Sequence, residues 1–269
     1  MHMKGIVLAG GNGTRLRPIT YAVNKQLVPI YDKPLIFYPL LTLRESGITE
    51  ILIVSHRHSL GQFIDILGDG GDLGLKLTYT VQPAPQGLAH GLSMGESFGR
   101  GEKVAMILGD NIFETNFKDA VVDFGRQGKG AMVAIYEEPD INEVKRAGVA
   151  EIKGERIVSI IEKPQEPKSR WIVAGFYLYD ATVFDRIRKM KPSARGEYEI
   201  TDLNNQYVAE GTMGYMKATG KWLDAGTFDS LLEAHNFVAG LKKRPGKPHH
   251  FVSPLVFQPK KSLAEARYS

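Results

Sequence analysis

A glycine-rich loop near the start of the chain carries the residue types best suited to chemistry. A short apolar, strand-like run leads directly into Gly10, Gly11 and Gly13. Because glycine has no Cβ, such a loop can take positive φ and turn its backbone N–H groups toward anionic oxygens at close range. Beyond the glycines, Arg15 offers a planar fork of donors and Lys25 a mobile point charge, and both suit phosphate. This pattern predicts a site for a polyphosphate group.

Two better-known glycine patterns do not fit this loop. A dinucleotide-binding fingerprint read from Gly11 needs a third glycine where Leu16 stands, and a P-loop needs Gly-Lys followed by Ser or Thr. Thr14 adds a hydroxyl donor, and Pro18 disfavours a helix that begins directly at the glycines. An ordinary strand-to-loop turn would explain the glycines alone, but the two basic residues that follow favour the phosphate hypothesis.

Two aspartates follow apolar, strand-like runs and are candidates for holding a metal ion. Asp110 comes just after the run 104–108, and Asp224 ends a second short run. A hard cation such as Mg²⁺ needs only one or two protein carboxylates, because water and phosphate oxygens complete its shell. Each aspartate also has a structural alternative, since Asp110 could cap the next turn and Asp224 the helix predicted to begin near Thr227. The pair predicts a Mg²⁺ site if the fold brings the two carboxylates together.

Strand and helix patterns alternate along most of the chain. Apolar runs at 51–55, 75–81 and 104–108 are typical of strands, and helical patterns lie between them. This alternation predicts an α/β fold with a doubly wound, mostly parallel sheet. Such sheets bind ligands in loops at the carboxyl ends of their strands, and Gln82 lies in one of these loops. Its amide can pair with the edge of a thymine or uracil ring, although a lone Gln is more often a surface amide.

Composition limits the classes of function. The chain has 269 residues, 43% of them hydrophobic, and no cysteine, which allows a sizeable core and excludes a disulfide framework, thiol catalysis and Cys-held zinc. No apolar run reaches the length of a bilayer and no signal pattern is present, so we expect a soluble cytoplasmic protein without a membrane partner.

The charged and histidine residues point to neither nucleic acid nor a metal cluster. The net charge of +4 comes from the segment 242–269, and the preceding residues are slightly acidic overall, so no nucleic-acid partner is expected. His56 and His58 lie two residues apart without a nearby carboxylate in the sequence. We therefore interpret them as solvated or core histidines.

Six short motifs follow the glycine-rich loop in order along the chain. They are Tyr31-Asp32-Lys33-Pro34, Val81-Gln82-Pro83, Leu108-Gly109-Asp110-Asn111, Glu162-Lys163-Pro164, Glu199-Ile200-Thr201-Asp202 and Trp222-Leu223-Asp224-Ala225-Gly226-Thr227. With the loop, this series resembles the sugar-1-phosphate nucleotidyltransferases from about Lys4 to Gly240. Within that family it is most similar to the branch that transfers a thymidylyl group to glucose 1-phosphate.

The resemblance implies a role for each candidate residue. The nucleotide would be bound by Leu8, Gly10, Gly11, Gly13, Thr14, Arg15, Lys25, Gln82, Gly87 and Asp110. The sugar phosphate would be bound by Asn111, Gly148, Glu162, Lys163, Val173 and Arg195. Arg15, Lys25 and Lys163 would be the catalytic residues, and Asp110 and Asp224 would hold Mg²⁺. Without the family, Glu162 and Lys163 could equally be a solvated surface pair, and Arg195 an exposed loop residue.

The resemblance also implies an architecture and a reaction. The expected Rossmann-like nucleotidyltransferase fold covers 1–240, with an inserted smaller sugar-binding lobe over roughly 139–218 and a basic tail over 241–269. The expected reaction is Mg²⁺-dependent transfer from dTTP to glucose 1-phosphate, giving dTDP-glucose and pyrophosphate, by a homo-oligomer (dimer or tetramer). A uridylyl- or cytidylyltransferase acting on a hexose 1-phosphate and a non-catalytic nucleotide-sugar-binding regulator stay open as alternatives. Leu16 argues against an NAD-linked dehydrogenase.

Overall fold

A computed structural model of the chain describes residues 3–243. Residues 1–2 and 244–269 lie outside the described residues, and so does nearly all of the predicted basic tail. The last described helix runs to Lys242 and so includes the first two residues of that predicted tail.

The described residues form thirteen strands, ten α-helices and three short 3₁₀ turns. The strands are β1 (Met3–Ala9), β2 (Pro29–Ile30), β3 (Lys33–Pro34), β4 (Glu50–Ser55), β5 (Lys76–Val81), β6 (Lys103–Leu108), β7 (Asn111–Phe113), β8 (Ala131–Glu137), β9 (Gly148–Lys153), β10 (Arg156–Glu162), β11 (Trp171–Tyr179), β12 (Met213–Lys217) and β13 (Trp222–Asp224). The helices are α1 (Ile19–Ala22), α2 (Phe37–Glu45), α3 (Arg57–Leu67), α4 (Leu88–Ser93), α5 (Glu96–Gly99), α6 (Lys118–Arg126), α7 (Ile141–Val144), α8 (Val183–Lys189), α9 (Ile200–Ala209) and α10 (Phe228–Lys242).

A nine-stranded sheet organises the molecule. Its main path is β10-β9-β11-β6-β1-β4-β5, with β8 paired to β11 and β12 paired to β8. β1 lies at the centre and runs parallel to both β4 and β6, and β5 is parallel to β4. The antiparallel pairs are confined to the part around β9, β10 and β11. The α/β fold with a doubly wound, mostly parallel sheet is therefore confirmed.

Side chains of β1 alternate between two cores, one on each face of the sheet. Val7 packs in a core that includes Phe37 and Leu40 of α2. Ile6 and its neighbour two residues on, Leu8, belong to the opposite core, which includes α4 and α9. This period of two is the geometry of an extended strand, and burial on both faces explains why β1 reads as a continuous apolar run.

The segment 139–218 continues the sheet. Strand β11 pairs with β8 along one edge. Along its other edge it pairs with β6 over residues 176–179 and with β9 at Ile172. Between these two regions, Gly175 has a φ of 69° and the pairing of β11 with β8 shifts register. The sheet therefore opens at Gly175, and β6 and β9 diverge to leave a cleft between them. The predicted boundaries of the sugar-binding lobe, roughly 139–218, stay a prediction.

Helix α10 packs against a separate two-stranded sheet formed by β7 and β13. Leu231, Ala234 and Val238 bury against Tyr38 and Leu223 in a third core. Thr227 caps the helix, because its hydroxyl accepts from the Ser230 N–H and the Ser230 hydroxyl accepts from the Thr227 N–H. The alternative role of Asp224 as the cap is therefore wrong, and its carboxylate is left for other contacts. Within residues 3–243, no helix combines the length and apolarity needed to cross a membrane.

Candidate active site

The main cleft lies between the carboxyl end of β6 and the start of β9. It has a volume of 440 Å³ and is floored by residues of β1, β6 and β11. Predicted site residues that line it are Leu8, Gly10, Gly11, Gln82, Gly87, Asp110, Asn111, Gly148, Glu162, Lys163, Val173, Arg195 and Asp224. Residues predicted from eight separate stretches of sequence thus meet around one opening, as expected for the carboxyl edge of an α/β sheet.

The two aspartates meet at one end of this cleft, with Lys25 between them. The Lys25 Nζ lies 2.5 Å from Asp110 Oδ2 and 3.7 Å from Asp224 Oδ1. Backbone pairing fixes the arrangement, because β13 pairs antiparallel with β7 and the Ala225 N–H donates to the Asp110 carbonyl at 3.0 Å. The Arg15 guanidinium reaches the other oxygen of Asp224 at 3.9 Å. The condition set by the sequence, that the fold bring both carboxylates together, is met.

Burial and charge set the protonation of this trio. Burial would lower the pKa of Lys25, but the carboxylates of Asp110 and Asp224 raise it above its ordinary value. Burial likewise pushes the pKa of Asp110 upward, and the Lys25 ammonium reverses this and holds it below its ordinary value. Burial, followed by the negative charge of Asp110, raises the pKa of Asp224 to about 6. Lys25 and Asp110 therefore form a tight ion pair. The negative charge of Asp224 is only partly balanced by Lys25 and Arg15.

The geometry around Asp224 suits a divalent cation. Its Oδ1 is buried and accepts no hydrogen bond within the part of the chain that the structure describes. Across residues 3–243, no group of three or more His, Cys, Asp or Glu side chains is placed to enclose a metal. A hard cation with one or two carboxylate ligands, completed by water and phosphate oxygens, needs no such group. The residues present therefore fit the metal that the sequence predicted.

The remaining residues of the glycine-rich loop lie beside the cleft. Gly13 has a φ of 59° and begins a single 3₁₀ turn, Thr14–Leu16. The Thr20 hydroxyl donates to the Gly13 carbonyl at 2.7 Å and closes the loop. Thr14 and Arg15 are exposed on this turn, which presents them at the rim next to Asp224.

Gln82 also lines the cleft, as a positioned, buried amide. It is 8% exposed, so the alternative of a surface amide is wrong. Its Nε2 lies 3.1 Å from His90 Nδ1 and donates to the Gly87 carbonyl at 3.4 Å. A Cβ on Gly10 would lie 3.0 Å from Gln82 Oε1. A glycine at this position therefore leaves room for the Gln82 amide.

Gly87 is required by both its backbone conformation and its neighbour. Its φ is 96°, and an added Cβ would lie 2.6 Å from the backbone oxygen of Tyr198. Because a backbone atom cannot rotate away, we expect Gly87→Ala to lower the free energy of unfolding by about 3 kcal/mol. The melting temperature should fall by about 5–10 °C, measured by calorimetry. Gly74→Ala is the matched control: its φ is 65° with nothing within 4 Å, so a cost of about 1 kcal/mol is expected. Equal losses in the two variants would contradict this account.

Acidic and basic side chains line the side of the cleft toward β9 and β10. Glu162 accepts from the Thr201 hydroxyl at 2.7 Å, and the Lys163 ammonium lies 3.5 Å from Glu162. The Arg195 guanidinium lies 2.9 Å from Glu199 and 3.8 Å from Glu162. Lys163 has a φ of 47°, a strained conformation for a non-glycine residue that is concentrated at functional sites. These residues form one connected, solvent-facing charged group.

Three further residues of the cleft were not singled out from the sequence. Tyr177, Thr201 and Trp222 all line it. The Trp222 indole N–H donates to Asn111 Oδ1 at 2.8 Å, and its ring packs against Tyr136. Thr201 and Trp222 belong to two of the six motifs in the sequence. That position was the signal from which they could have been predicted as site residues. Tyr177 gave none, because it sits in a continuous apolar strand.

Comparisons with known proteins identify relatives of this chain. Residues 4–240 match the family model described as nucleotidyl transferase. A protein named glucose-1-phosphate thymidylyltransferase from Neisseria meningitidis serogroup A is 46% identical over 241 residues, covering 88% of this chain and 82% of the relative. A protein of the same name from Xanthomonas campestris is 44% identical over 248 residues, covering 90% of this chain and 83% of the relative.

Solved structures show the same relationship. A crystal structure of a Bacillus anthracis protein carrying the name glucose-1-phosphate thymidylyltransferase matches with a TM-score of 0.84 at 41% identity, over 93% of this chain and 99% of that chain. A UDP-glucose pyrophosphorylase complexed with UDP-glucose matches with a TM-score of 0.79 at 27% identity, over 91% of this chain and all of that chain. Because the family model spans most of the sequence and close relatives share more than two fifths of their residues with it, the chain belongs to the nucleotidyl transferase family.

Proposed function

We propose that this protein transfers the thymidylyl group of dTTP to glucose 1-phosphate and releases dTDP-glucose and pyrophosphate. The names of the relatives described above support the substrates. The observation that carries the reaction type is the trio of Lys25, Asp110 and Asp224. Its two carboxylates line the same cleft as Gln82 and the Glu162–Lys163 pair. When one phosphate attacks another directly, the protein has to position the two groups and neutralise their charge, and it needs no nucleophile of its own.

The chemical step is a single in-line displacement. An oxygen of the sugar phosphate attacks the α-phosphorus of dTTP, the new P–O bond forms, and the bond to the bridging β-phosphate oxygen breaks. Lys163 and Arg195 would hold and partly neutralise the attacking phosphate, which lets it approach the triphosphate. Arg15 and Lys25 would stabilise the negative charge that develops on the leaving pyrophosphate.

Asp110 and Asp224 would hold a divalent cation, for which we propose Mg²⁺. When bound, the ion offsets charge on the phosphate oxygens. Lys25 is ion-paired to both carboxylates. Its ammonium would therefore lie close to the phosphate oxygens that the cation binds. The loop of Gly10, Gly11, Gly13 and Thr14 would contribute backbone and hydroxyl donors to the phosphates.

The two ends of the cleft would select base and sugar. Gln82 would pair with the thymine edge, while Leu8 and Gly87 give the base an apolar wall and a close approach to the backbone. Asn111, Gly148, Glu162 and Val173 line the other end, where carboxylate and amide oxygens suit sugar hydroxyls. The cytoplasmic location and the homo-oligomer implied by the resemblance stay predictions.

Lys163→Ala should separate sugar-phosphate binding from the rest of the reaction. Because its ammonium faces the cleft beside Glu162, we expect the KM for glucose 1-phosphate to rise about tenfold or more, while the KM for dTTP changes little. Steady-state kinetics with each substrate varied in turn measure this. Lys168→Ala removes an exposed lysine of the same segment, which lies 3.9 Å from Glu151, and should behave as the unaltered protein. An unchanged KM for glucose 1-phosphate in Lys163→Ala would remove this residue from the sugar-phosphate site.

A uridylyl transferase is the second candidate, because the fold also matches a UDP-glucose pyrophosphorylase. Internal competition distinguishes the two. Equal concentrations of dTTP and UTP are incubated with glucose 1-phosphate and Mg²⁺, and the ratio of dTDP-glucose to UDP-glucose is measured by chromatography. We expect dTDP-glucose to dominate. A majority of UDP-glucose would reassign the base, and no nucleotide sugar from either triphosphate would favour a binding protein without catalysis.

A further inference from the structure

A second hollow lies next to the main cleft, on the other side of the glycine-rich loop. It has a volume of 680 Å³ and is bounded by residues 20–25, the start of α3 and the loop 82–85. It shares Gly11, Gln82 and Pro85 with the cleft. We call it the basic hollow. The proposed reaction assigns it no role, although it opens directly beside the site of phosphoryl transfer.

The basic hollow is lined by donors and by cations. Its lining includes the side chains of Lys25, Arg57, His56, His58, Asn24 and Gln62. Among the described residues that line it, there is no Asp or Glu. The main cleft differs in this respect, because Glu162, Glu197 and Glu199 line it together with the two aspartates. The charges that line the basic hollow therefore favour an anion, whereas the main cleft combines its carboxylates with basic residues such as Lys163 and Arg195.

Two contacts tie this hollow to the reacting end of the cleft. Lys25 lines the hollow and forms the ion pairs with Asp110 and Asp224. Its neighbour Asn24 donates to the Ser59 hydroxyl at 3.0 Å, which holds the Lys25 segment against the first turn of α3. Arg57 and His58 therefore line the same hollow as the lysine that pairs with Asp110 and Asp224.

The buried ring nitrogen of His56 is a second observation that points to a ligand in the basic hollow, independent of the charged residues that line it. Its Nε2 is buried and has no hydrogen-bond partner within the described part of the chain, and its ring lines the basic hollow. The same nitrogen would lie 3.8 Å from a Cβ placed on Gly10, so it sits directly behind the phosphate-binding loop. A buried polar atom without a partner is costly unless a ligand or water satisfies it.

We propose that the basic hollow binds the pyrophosphate that the reaction releases, with Arg57, His58 and His56 as its ligands beyond Lys25. This inference rests on the proposed function. When the bond between the α-phosphorus and the bridging oxygen breaks, the electron pair stays on that oxygen and pyrophosphate departs with the added charge. The nucleotide sugar fills the main cleft, so the free anion moves past Lys25 into the hollow that lacks carboxylates. In the reverse direction, pyrophosphate enters by the same route.

Pyrophosphorolysis tests this directly. With dTDP-glucose and pyrophosphate as substrates, dTTP formation is measured for the unaltered protein, for Arg57→Ala and for the double variant Arg57→Ala/His58→Ala. Loss of a charge-assisted contact should raise the KM for pyrophosphate about tenfold in the single variant and further in the double, while the KM for dTDP-glucose stays the same. Arg57→Lys should restore part of the loss. Arg126→Ala, which removes an exposed arginine on α6, should have no effect.

An unchanged KM for pyrophosphate in the double variant would overturn the inference. It would also be overturned if Arg57→Ala raised the KM for dTDP-glucose and left the KM for pyrophosphate unchanged, because the hollow would then hold part of the nucleotide sugar. If the unaltered protein makes no nucleotide sugar, the proposed function has failed. Calorimetric titration of pyrophosphate into the unaltered and double-variant proteins then tests the hollow alone, and equal affinities would refute it.

Discussion

Arg15→Ala is expected to lower kcat on the order of 100-fold or more, with a much smaller change in the KM for either substrate. The Arg15 guanidinium lies at the rim, 3.9 Å from Asp224. A Cβ on Gly226 would lie 2.6 Å from its Nη2, so the guanidinium occupies the space that a side chain at this glycine would fill. A donor fork held there meets the charge that develops as pyrophosphate leaves. Because this added charge is absent from the bound substrates, the contact stabilises the transition state more than the substrate complex.

The Arg15 prediction separates catalysis from stability. The side chain is 51% exposed, so its removal should leave the melting temperature within a few degrees of the original. Arg17→Ala is the matched control, because Arg17 is exposed two residues further on and packs over the Tyr21 ring instead. Steady-state kinetics and calorimetry of both variants measure the effect. A kcat for Arg15→Ala equal to that of Arg17→Ala would remove Arg15 from the mechanism.

Asp224→Asn is expected to lower kcat by on the order of 10²–10³-fold and to raise the Mg²⁺ concentration needed for half-maximal activity. The substitution keeps the shape of the side chain and removes the charge that a divalent cation requires. Because Oδ1 is a buried oxygen without a hydrogen-bond partner among the described residues, loss of its charge should cost the metal-free protein little stability.

Asp110→Asn gives the contrast to Asp224→Asn. Asp110 forms the short ion pair with Lys25, whose side chain is only 7% exposed, so its loss leaves a buried ammonium without its main partner. We expect activity and stability to fall together, with a cost of about 3–5 kcal/mol in the free energy of unfolding. Asp229→Asn, on the exposed first turn of α10, controls for the loss of a charge in itself. Equal Mg²⁺ dependence of Asp224→Asn and the unaltered protein would place the metal elsewhere.

The sequence predicted the long elements of the fold well, for a physical reason. Strands such as β4, β6 and β11 are buried on both faces, so each is a continuous apolar run bounded by turn residues. The short strand β7 was missed, because its three residues pair only with β13, more than a hundred positions away. Helix α4, which begins directly after Gly87, was missed because its six residues include a glycine and no clear periodicity.

The site was predicted in its residue types and less well in its arrangement. Asp110, Asp224 and Gln82 were identified because each follows a strand or lies in an ordered motif, and the structure brings the three to one cleft. No local pattern indicated that Lys25 would be buried between the two carboxylates, since this depends on pairs formed by distant segments. Similarly, His56 and His58 were interpreted as ordinary histidines, and only the packing of α3 against residues 20–25 places them around the basic hollow.

The measurement that tests the central claim most directly is pyrophosphate release by the purified protein with Mg²⁺ over a grid of substrates. The grid combines dTTP, UTP, CTP, ATP and GTP with the 1-phosphates of glucose, galactose, mannose and N-acetylglucosamine. The account predicts a maximum for dTTP with glucose 1-phosphate and its loss on addition of a chelator. A maximum elsewhere would keep the displacement mechanism and contradict the assigned substrates, and no release from any pair would contradict the proposal that this protein is a catalyst.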